Sequence, residues 1–319
     1  MNVYWFQDSK TGHLKQVQAL LDQLKKETEL SLITIKNSDQ KSFSEMFSRR
    51  DQLNGQTILI GAGHDVYSTI LQAKKYLQKF ISKNIYSIAV LRPSYKLNSF
   101  DLVVAPEHDF RNRRLPKNVI PFKGSLAVTS QIPVDESKAI IAIGGPSKHY
   151  KFDQKILMKQ LNYILSVYPK HEFKIFNSRR TPDALNIKLK DNLSNYPNVK
   201  FIHLNSPESD TFQDSLNRSS LKFVTPDSSN LVFEALSVKG QTYLIQIESP
   251  TYRRIFGTKK IRESMNELVN TKRVGVVSIL NKKGGVDISK IESPALHFEP
   301  LAEVEKVSFS IMKFINHQK

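Results

Sequence analysis

The residues of this chain that could do chemistry sit in short polar clusters directly behind apolar runs. After the run at 2–6 come Asp8, Ser9, Lys10, Thr11, Gly12 and His13. After 57–60 come Gly61, Ala62, Gly63, His64 and Asp65, and after 101–104 come Pro106, Glu107, His108 and Asp109. Imidazole titrates near neutrality and a partly buried carboxylate can be tuned toward it. His13, His64, His108 and Glu107 are therefore candidate bases for removing a proton from a hydroxyl. Hydrogen-bonded caps at helix starts would account for the same residues singly. No metal is expected, because the histidines lie far apart and no His-x-x-x-His spacing occurs.

The second half of the chain offers donors instead of bases. IIAIGGPSKH (140–149) carries Gly144, Gly145, Ser147 and Lys148 behind a buried run, and NSRRTPD (177–183) adds Ser178, Arg179, Arg180 and Thr181. TPDSSNLVFEAL (225–236) places Thr225, Asp227, Ser228, Ser229 and Asn230 at a helix start. A helix N-terminus with small hydroxyl residues binds phosphate through unpaired N–H groups and the dipole, and Arg adds bidentate contacts. Plain N-capping would also explain Ser228 and Asn230. Glu234 lies one helical turn beyond Asn230, where a carboxylate suits the two donor hydroxyls of a ribose. Neither a Walker loop nor Gly-x-Gly-x-x-Gly is present, so ATPase and dinucleotide readings lose their usual support.

These clusters need elements to hold them, and the pattern predicts strands alternating with helices. Strands are expected at 2–6, 32–35, 57–60, 86–91 and 101–104, with helices from about 14 to 24 and over 65–82. A stretch of weak periodicity, 123–137, reads as a linker. The alternation then restarts: strands at 139–143, 173–176, 199–203, 221–224 and 242–246, and helices at 153–168, from 182, at 209–217, 229–238 and 259–269. Such alternation implies a mostly parallel sheet covered on both faces, so the fold class is α/β with two Rossmann-like lobes. In such sheets a ligand sits beyond the carboxyl ends of the strands, where the polar clusters fall. The expected organisation is residues 1–122, the linker 123–137, residues 138–299, and a helix within 300–319, possible partner of the first lobe.

Composition adds bounds. The 319 residues carry a formal charge of +17, which favours anionic partners: a phosphorylated ligand, an anionic membrane face or nucleic acid. No stacking-aromatic and basic motif of a nucleic-acid module is found, so nucleic acid is not expected as a partner. The absence of cysteine excludes disulfides, thiolate metal sites and cysteine nucleophiles. The N-terminus has no signal layout and no apolar run reaches membrane-spanning length. A soluble, cytoplasmic protein, peripheral at the inner membrane, is the expectation.

The ordered set GHLKQ (12–16), IGAGH (60–64), LRPSYKLNSFDLVVAPEHD (91–109), IGGPSKHYKFD (143–153), NSRRTPD and TPDSSNLVFEAL resembles the mitochondrial fission, elongated-mitochondria-like family over nearly the full length. Bacterial members of that family are regarded as glycosyltransferases of the GT-B fold. The resemblance implies an interdomain cleft, with an acceptor held by the first lobe and a nucleotide sugar by the second. It also implies transfer to a membrane-associated glycan such as lipopolysaccharide core, with no cofactor beyond the nucleotide-sugar substrate. Ser178–Arg180 keep the family's Ser-Arg-Arg pattern, while YRRIFGTKKIRESMNEL (252–268) departs from its glycine-rich form. Plant relatives act as fission adaptors, so a noncatalytic adaptor stands as the alternative, with a nucleotide-sugar epimerase as a third reading.

Overall fold

A computed structural model describes residues 1–36, 55–80, 84–110, 114–147, 150, 152–247, 259–281, 287–295 and 299–317. Lys148 and the segment 252–258 lie outside the described residues. The chain divides into two compact units, Met1–Val128 with Ala302–Lys319, and Thr129–Leu301.

The first unit contains β1 (Asn2–Gln7), α1 (Thr11–Glu27), β2 (Ser31–Lys36), β3 (Thr57–Ala62), α2 (His64–Leu77), β4 (Ile85–Val90), β5 (Leu102–Pro106) and β6 (Val119–Phe122). Its six strands are ordered β2-β1-β3-β4-β5-β6, every pair parallel. Strands β3, β4 and β5 are buried along their whole length, so each reads as a near-continuous apolar run instead of an alternation, with the buried Ser87 interrupting β4. One face packs Leu20, Leu21 and Leu24 of α1 together with Val304, Val307, Ile311 and Ile315 of a C-terminal helix; the other packs Val66, Ile70 and Leu77 of α2. Strand β6 was not expected, because Pro121 breaks the strand signal; at a sheet edge the missing N–H is tolerated.

The second unit contains β7 (Asp135–Ala142), α3 (Gln154–Val167), β8 (Glu172–Phe176), α4 (Asp183–Leu193), β9 (Val199–Ile202), α5 (Phe212–Arg218), β10 (Ser219–Val224), α6 (Ser229–Leu236), β11 (Gln241–Ile245), α7 (Lys259–Asn270), β12 (Gly275–Asn281) and β13 (Asp287–Glu292). The last helix, α8 (Glu303–His317), returns to the first unit. The seven strands run β13-β12-β11-β10-β7-β8-β9, parallel except for the antiparallel β12–β13 pair. Strand β7 begins at Asp135, inside the stretch expected as linker, because its first half is polar and largely exposed. The β12–β13 hairpin was also not expected, although Val276, Val277, Ile279 and Leu280 supply an apolar run for β12.

Both sheets contain a point where the winding reverses. In the first, β2 lies on one side of β1 and β3 on the other; in the second, β8 and β10 flank β7. At such a reversal the loops leaving two adjacent strands diverge, opening a crevice beyond their carboxyl ends.

Candidate functional site

The reversal in the first unit is occupied by an acid–imidazole pair. Asp8 leaves β1 and His13 lies in the first turn of α1, and Asp8 Oδ2 is 2.6 Å from His13 Nδ1. The Asp8 side chain is 0% exposed and that of His13 is 22% exposed. Asp8 Oδ1 accepts the N–H of Lys10 at 3.1 Å, fixing the carboxylate from its other side. A carboxylate only accepts, so Nδ1 carries the hydrogen, and in the neutral ring Nε2 is the nitrogen that bears the lone pair. The second strand at the reversal contributes Gly63, with φ of 98° at the start of α2. A side chain there would also collide with Asp8 Oδ2 and His13 Nδ1, its Cβ lying 2.5 and 2.7 Å away. Glycine is thus required on two independent grounds.

The other expected bases follow neighbouring strands of the same sheet edge. His64 heads α2 and is exposed; its ring stacks on Tyr95 at 6.2 Å and 16° and meets Tyr67 edge-on at 5.5 Å. Glu107, His108 and Asp109 form a single 3-10 turn behind β5. With strands spaced about 4.8 Å apart, that turn stands roughly 14 Å along the sheet from the end of β1. The four expected bases therefore share an edge but do not form one cluster.

The loop after β4, at 91–96, is held in a costly shape. Leu91 and Lys96 have φ of 71° and 54°, each disfavoured by about 1–3 kcal/mol for a residue with a side chain. The buried Tyr67 hydroxyl faces the carbonyls of Val90 and Leu91 at 2.7 and 2.9 Å, and Leu91 donates its N–H to Val104 O at 2.7 Å. Burial pushes the Tyr67 phenol well above its ordinary pKa, keeping it a donor. The loop presents Arg92, whose Nη1 donates to Asp109 O at 3.1 Å and whose guanidinium lies 5.2 Å from the Phe110 ring centre.

The reversal in the second unit gathers three strand ends. Gly144 and Gly145 follow β7, Ser178–Thr181 follow β8, and Thr225–Asp227 follow β10. The N–H of Gly144 donates to Thr225 Oγ1 at 2.8 Å, and that of Gly145 to Asp227 Oδ2 at 3.0 Å. Thr181 Oγ1 donates to Gly144 O at 2.6 Å, and Arg180 Nη2 donates to Asp227 Oδ2 at 2.7 Å. The two glycines were expected to offer their N–H groups to a phosphate; in this structure both are taken by neighbouring loops. Their smallness serves those loops: a Cβ on Gly145 would lie 1.9 Å from Arg180 O, and one on Gly144 would lie 2.1 Å from Asp227 Oδ2.

Asp227 is the buried hub of this arrangement, its side chain 0% exposed beside an Arg180 side chain that is 42% exposed. Burial raises its pKa, while Thr225, the Gly145 N–H and Arg180 pull the other way. Tyr150 is buried nearby and its phenol is pushed up to about 12, first by burial and then by Asp227. Ser147 Oγ accepts the Tyr150 N–H at 3.2 Å, and Ser178 Oγ accepts the Arg180 N–H at 3.3 Å, so both hydroxyls also shape their own turns. Ser228 is the N-cap of α6 yet makes no side-chain capping bond, and Ser228, Ser229, Asn230 and Glu234 are all half-buried. Arg179 is exposed and precedes Arg180 in the same loop.

Among the described residues, no group of three or more His, Cys, Asp or Glu is placed to hold a metal ion, and no helix is long and apolar enough to cross a membrane. Asp8, Arg92 and Tyr150 are the residues that sequence reasoning did not assign to a site. The first had a signal, a carboxylate five positions before a histidine across a strand-to-helix turn; the other two lie within the motifs at 91–109 and 143–153 but form no acid–base or phosphate pattern of their own.

Two parallel-dominated sheets flanked by helices, each with its polar groups at a winding reversal, make this an α/β protein of two Rossmann-like units, the GT-B type of architecture. The chain belongs to the mitochondrial fission ELM1 family, whose model matches residues 11–314. An uncharacterized protein of Rickettsia prowazekii is 23% identical, over 98% of each chain. The mitochondrial fission protein ELM1 of Arabidopsis thaliana is 20% identical over 73% of this chain; the match spans 62% of that protein's length. Among solved structures, a Listeria monocytogenes protein provisionally described as a UDP-N-acetylglucosamine 2-epimerase matches with a TM-score of 0.50 and 14% identity, covering 85% of this chain and 88% of its own. The Escherichia coli ADP-heptose lps heptosyltransferase II matches with a TM-score of 0.47 and 9% identity, covering 99% of each chain.

Proposed function

We propose that the protein is a metal-independent glycosyltransferase that moves a sugar from a nucleotide sugar to a hydroxyl of a membrane-associated glycan, such as lipopolysaccharide core or another surface polysaccharide. The observation that carries this reading is the Asp8–His13 pair. The carboxylate orients the imidazole through Nδ1 at the winding reversal of the first sheet, so that the neutral ring offers Nε2 as a base. An adaptor has no use for an oriented base; an epimerase would use one on a sugar C–H and take no acceptor, so acceptor dependence separates the two enzyme readings.

In the proposed reaction the acceptor hydroxyl gives its proton to His13 Nε2 as its oxygen bonds to the anomeric carbon. The bond from that carbon to the nucleotide phosphate breaks, and its electron pair stays on the phosphate oxygen. One base and direct displacement invert the anomeric centre. Asp8 stabilises the imidazolium that forms. In the second unit, the start of α6 with Ser228, Ser229 and Asn230 faces the diphosphate, with Arg180 and Arg179 supplying positive charge where negative charge develops. Glu234 accepts from the ribose hydroxyls. These cations take the place of a divalent metal. The charge of +17 draws the protein to an anionic membrane face on the cytoplasmic side, where a glycolipid acceptor would be presented.

Calorimetric titration with UDP, GDP, ADP, CMP and their sugars, with and without EDTA, tests the donor half. Saturable binding of one nucleotide that survives EDTA and weakens in Arg180→Gln and Glu234→Ala is expected. If no nucleotide binds while anionic vesicles do, the adaptor reading replaces this one.

A further inference from the structure

The 91–96 loop is not used by the reaction as described, yet its backbone is tightly constrained. Both of its ends hold left-handed backbone at residues with side chains, Leu91 and Lys96. Tyr67 spends a buried hydroxyl on its first carbonyls. Backbone held this way persists where surrounding structure over-determines it, and such places cluster at ligand sites.

What the loop displays has a consistent chemistry. Tyr95 is 51% exposed and lies nearly parallel to the exposed His64 ring, so two stacked aromatic faces stand in solvent at the ends of β3 and β4. The C–H faces of a pyranose are apolar and pack on such rings, and an aromatic surface flanked by few polar groups is the usual composition of a small-ligand site. Three residues earlier, the half-buried Arg92 has Nη1 fixed on Asp109 O and its plane near Phe110, while its Nε is buried away from solvent. A guanidinium anchored through Nη1 in this way can turn its Nη2 edge to a carboxylate or phosphate.

We infer that Arg92, Tyr95 and His64 form a subsite for an acidic sugar: the Tyr95–His64 stack takes a face of the ring and Arg92 takes its carboxylate or phosphate. The inference rests on the proposed transferase reading, for which it names the acceptor class, a sugar bearing uronate or phosphate groups. It gives His64 a contact role and leaves proton removal to His13.

The test is ligand-observed saturation-transfer NMR on the whole protein without nucleotide, using glucuronate, glucose 6-phosphate, glucose and inorganic phosphate as probes. The acidic sugars are expected to bind roughly tenfold more tightly than glucose, the scale of one charge-assisted contact. They should also bind more tightly than inorganic phosphate. Arg92→Gln should erase the preference over glucose, and the exposed Tyr95→Ala should weaken both acidic sugars. Glucuronate and glucose 6-phosphate distinguish a carboxylate from a phosphate as the natural group. Equal binding of glucose and the acidic sugars, binding no better than inorganic phosphate, or a preference that survives Arg92→Gln overturns the inference. Nucleotide calorimetry is read separately, so loss of the donor reading and loss of this subsite are distinct results.

Discussion

Arg180 donates through Nη2 to Asp227 Oδ2 at 2.7 Å, joining the loop behind β8 to the loop behind β10 across a separation of 47 residues. The same oxygen takes the Gly145 N–H, so one carboxylate ties together all three strand ends at the second reversal. Its burial makes it a titration point for the unit.

Because burial raises the Asp227 pKa above its unfolded value, the native state holds the proton more tightly than the unfolded chain. Stability from this group is fully present below the ordinary aspartate range near 3.9 and is lost as pH rises through the folded pKa. Urea unfolding of wild type and Asp227→Asn from pH 4 to pH 7 should show wild type losing ground to the variant as pH increases. Parallel curves would contradict the assignment.

Lys222 is fully buried on β10, its Nζ donating to Lys239 O, and burial lowers its pKa to about 7. Here the unfolded chain binds the proton more tightly. Stability is therefore depressed below pH 7 and rises toward the unfolded pKa near 10.4, by at most about 1.4 kcal/mol per pH unit. Lys222→Met should flatten that rise in the difference between the two unfolding curves measured from pH 6 to pH 9.

Gly145→Ala places a methyl against the Arg180 carbonyl, backbone that cannot rotate away. The loops must separate, at a cost of about 1–3 kcal/mol by the usual scale of overpacking. A lower urea midpoint with unchanged slope is expected, together with weaker nucleotide binding. Unaltered stability would mean that the loops yield without cost.

His13→Ala should reduce transfer by about 10²-fold or more, the usual contribution of a positioned base, while nucleotide affinity is retained. Asp8→Asn keeps the geometry but can stabilise the wrong tautomer, so it should lower kcat and alter the pH–rate profile. Steady-state kinetics of both variants check this; a fall in nucleotide affinity in place of kcat would point to a structural role.

Most strands were legible because buried parallel strands read as apolar runs, as in β3, β5 and the second half of β7. Element ends followed, and with them Gly63, His13, Gly144 and Arg180 at the carboxyl edges. Contacts between loops far apart in sequence left no local trace: nothing near Gly145 announces that Asp227 takes its N–H, 82 residues on. For the same reason a glycine pair suited to phosphate proved to be pressed against Arg180 and Asp227. Strand β6, four residues long with Pro121 inside, fell below any periodicity signal.

Sugar transfer itself is measured as nucleoside diphosphate release, followed chromatographically, from each nucleotide sugar with and without a panel of neutral, uronate-bearing and phosphorylated glycosides in EDTA. Release should depend on an acidic acceptor and fall about 10²-fold or more in His13→Ala. Conversion of the sugar nucleotide to its epimer without acceptor, or no release with any donor and acceptor, would contradict sugar transfer.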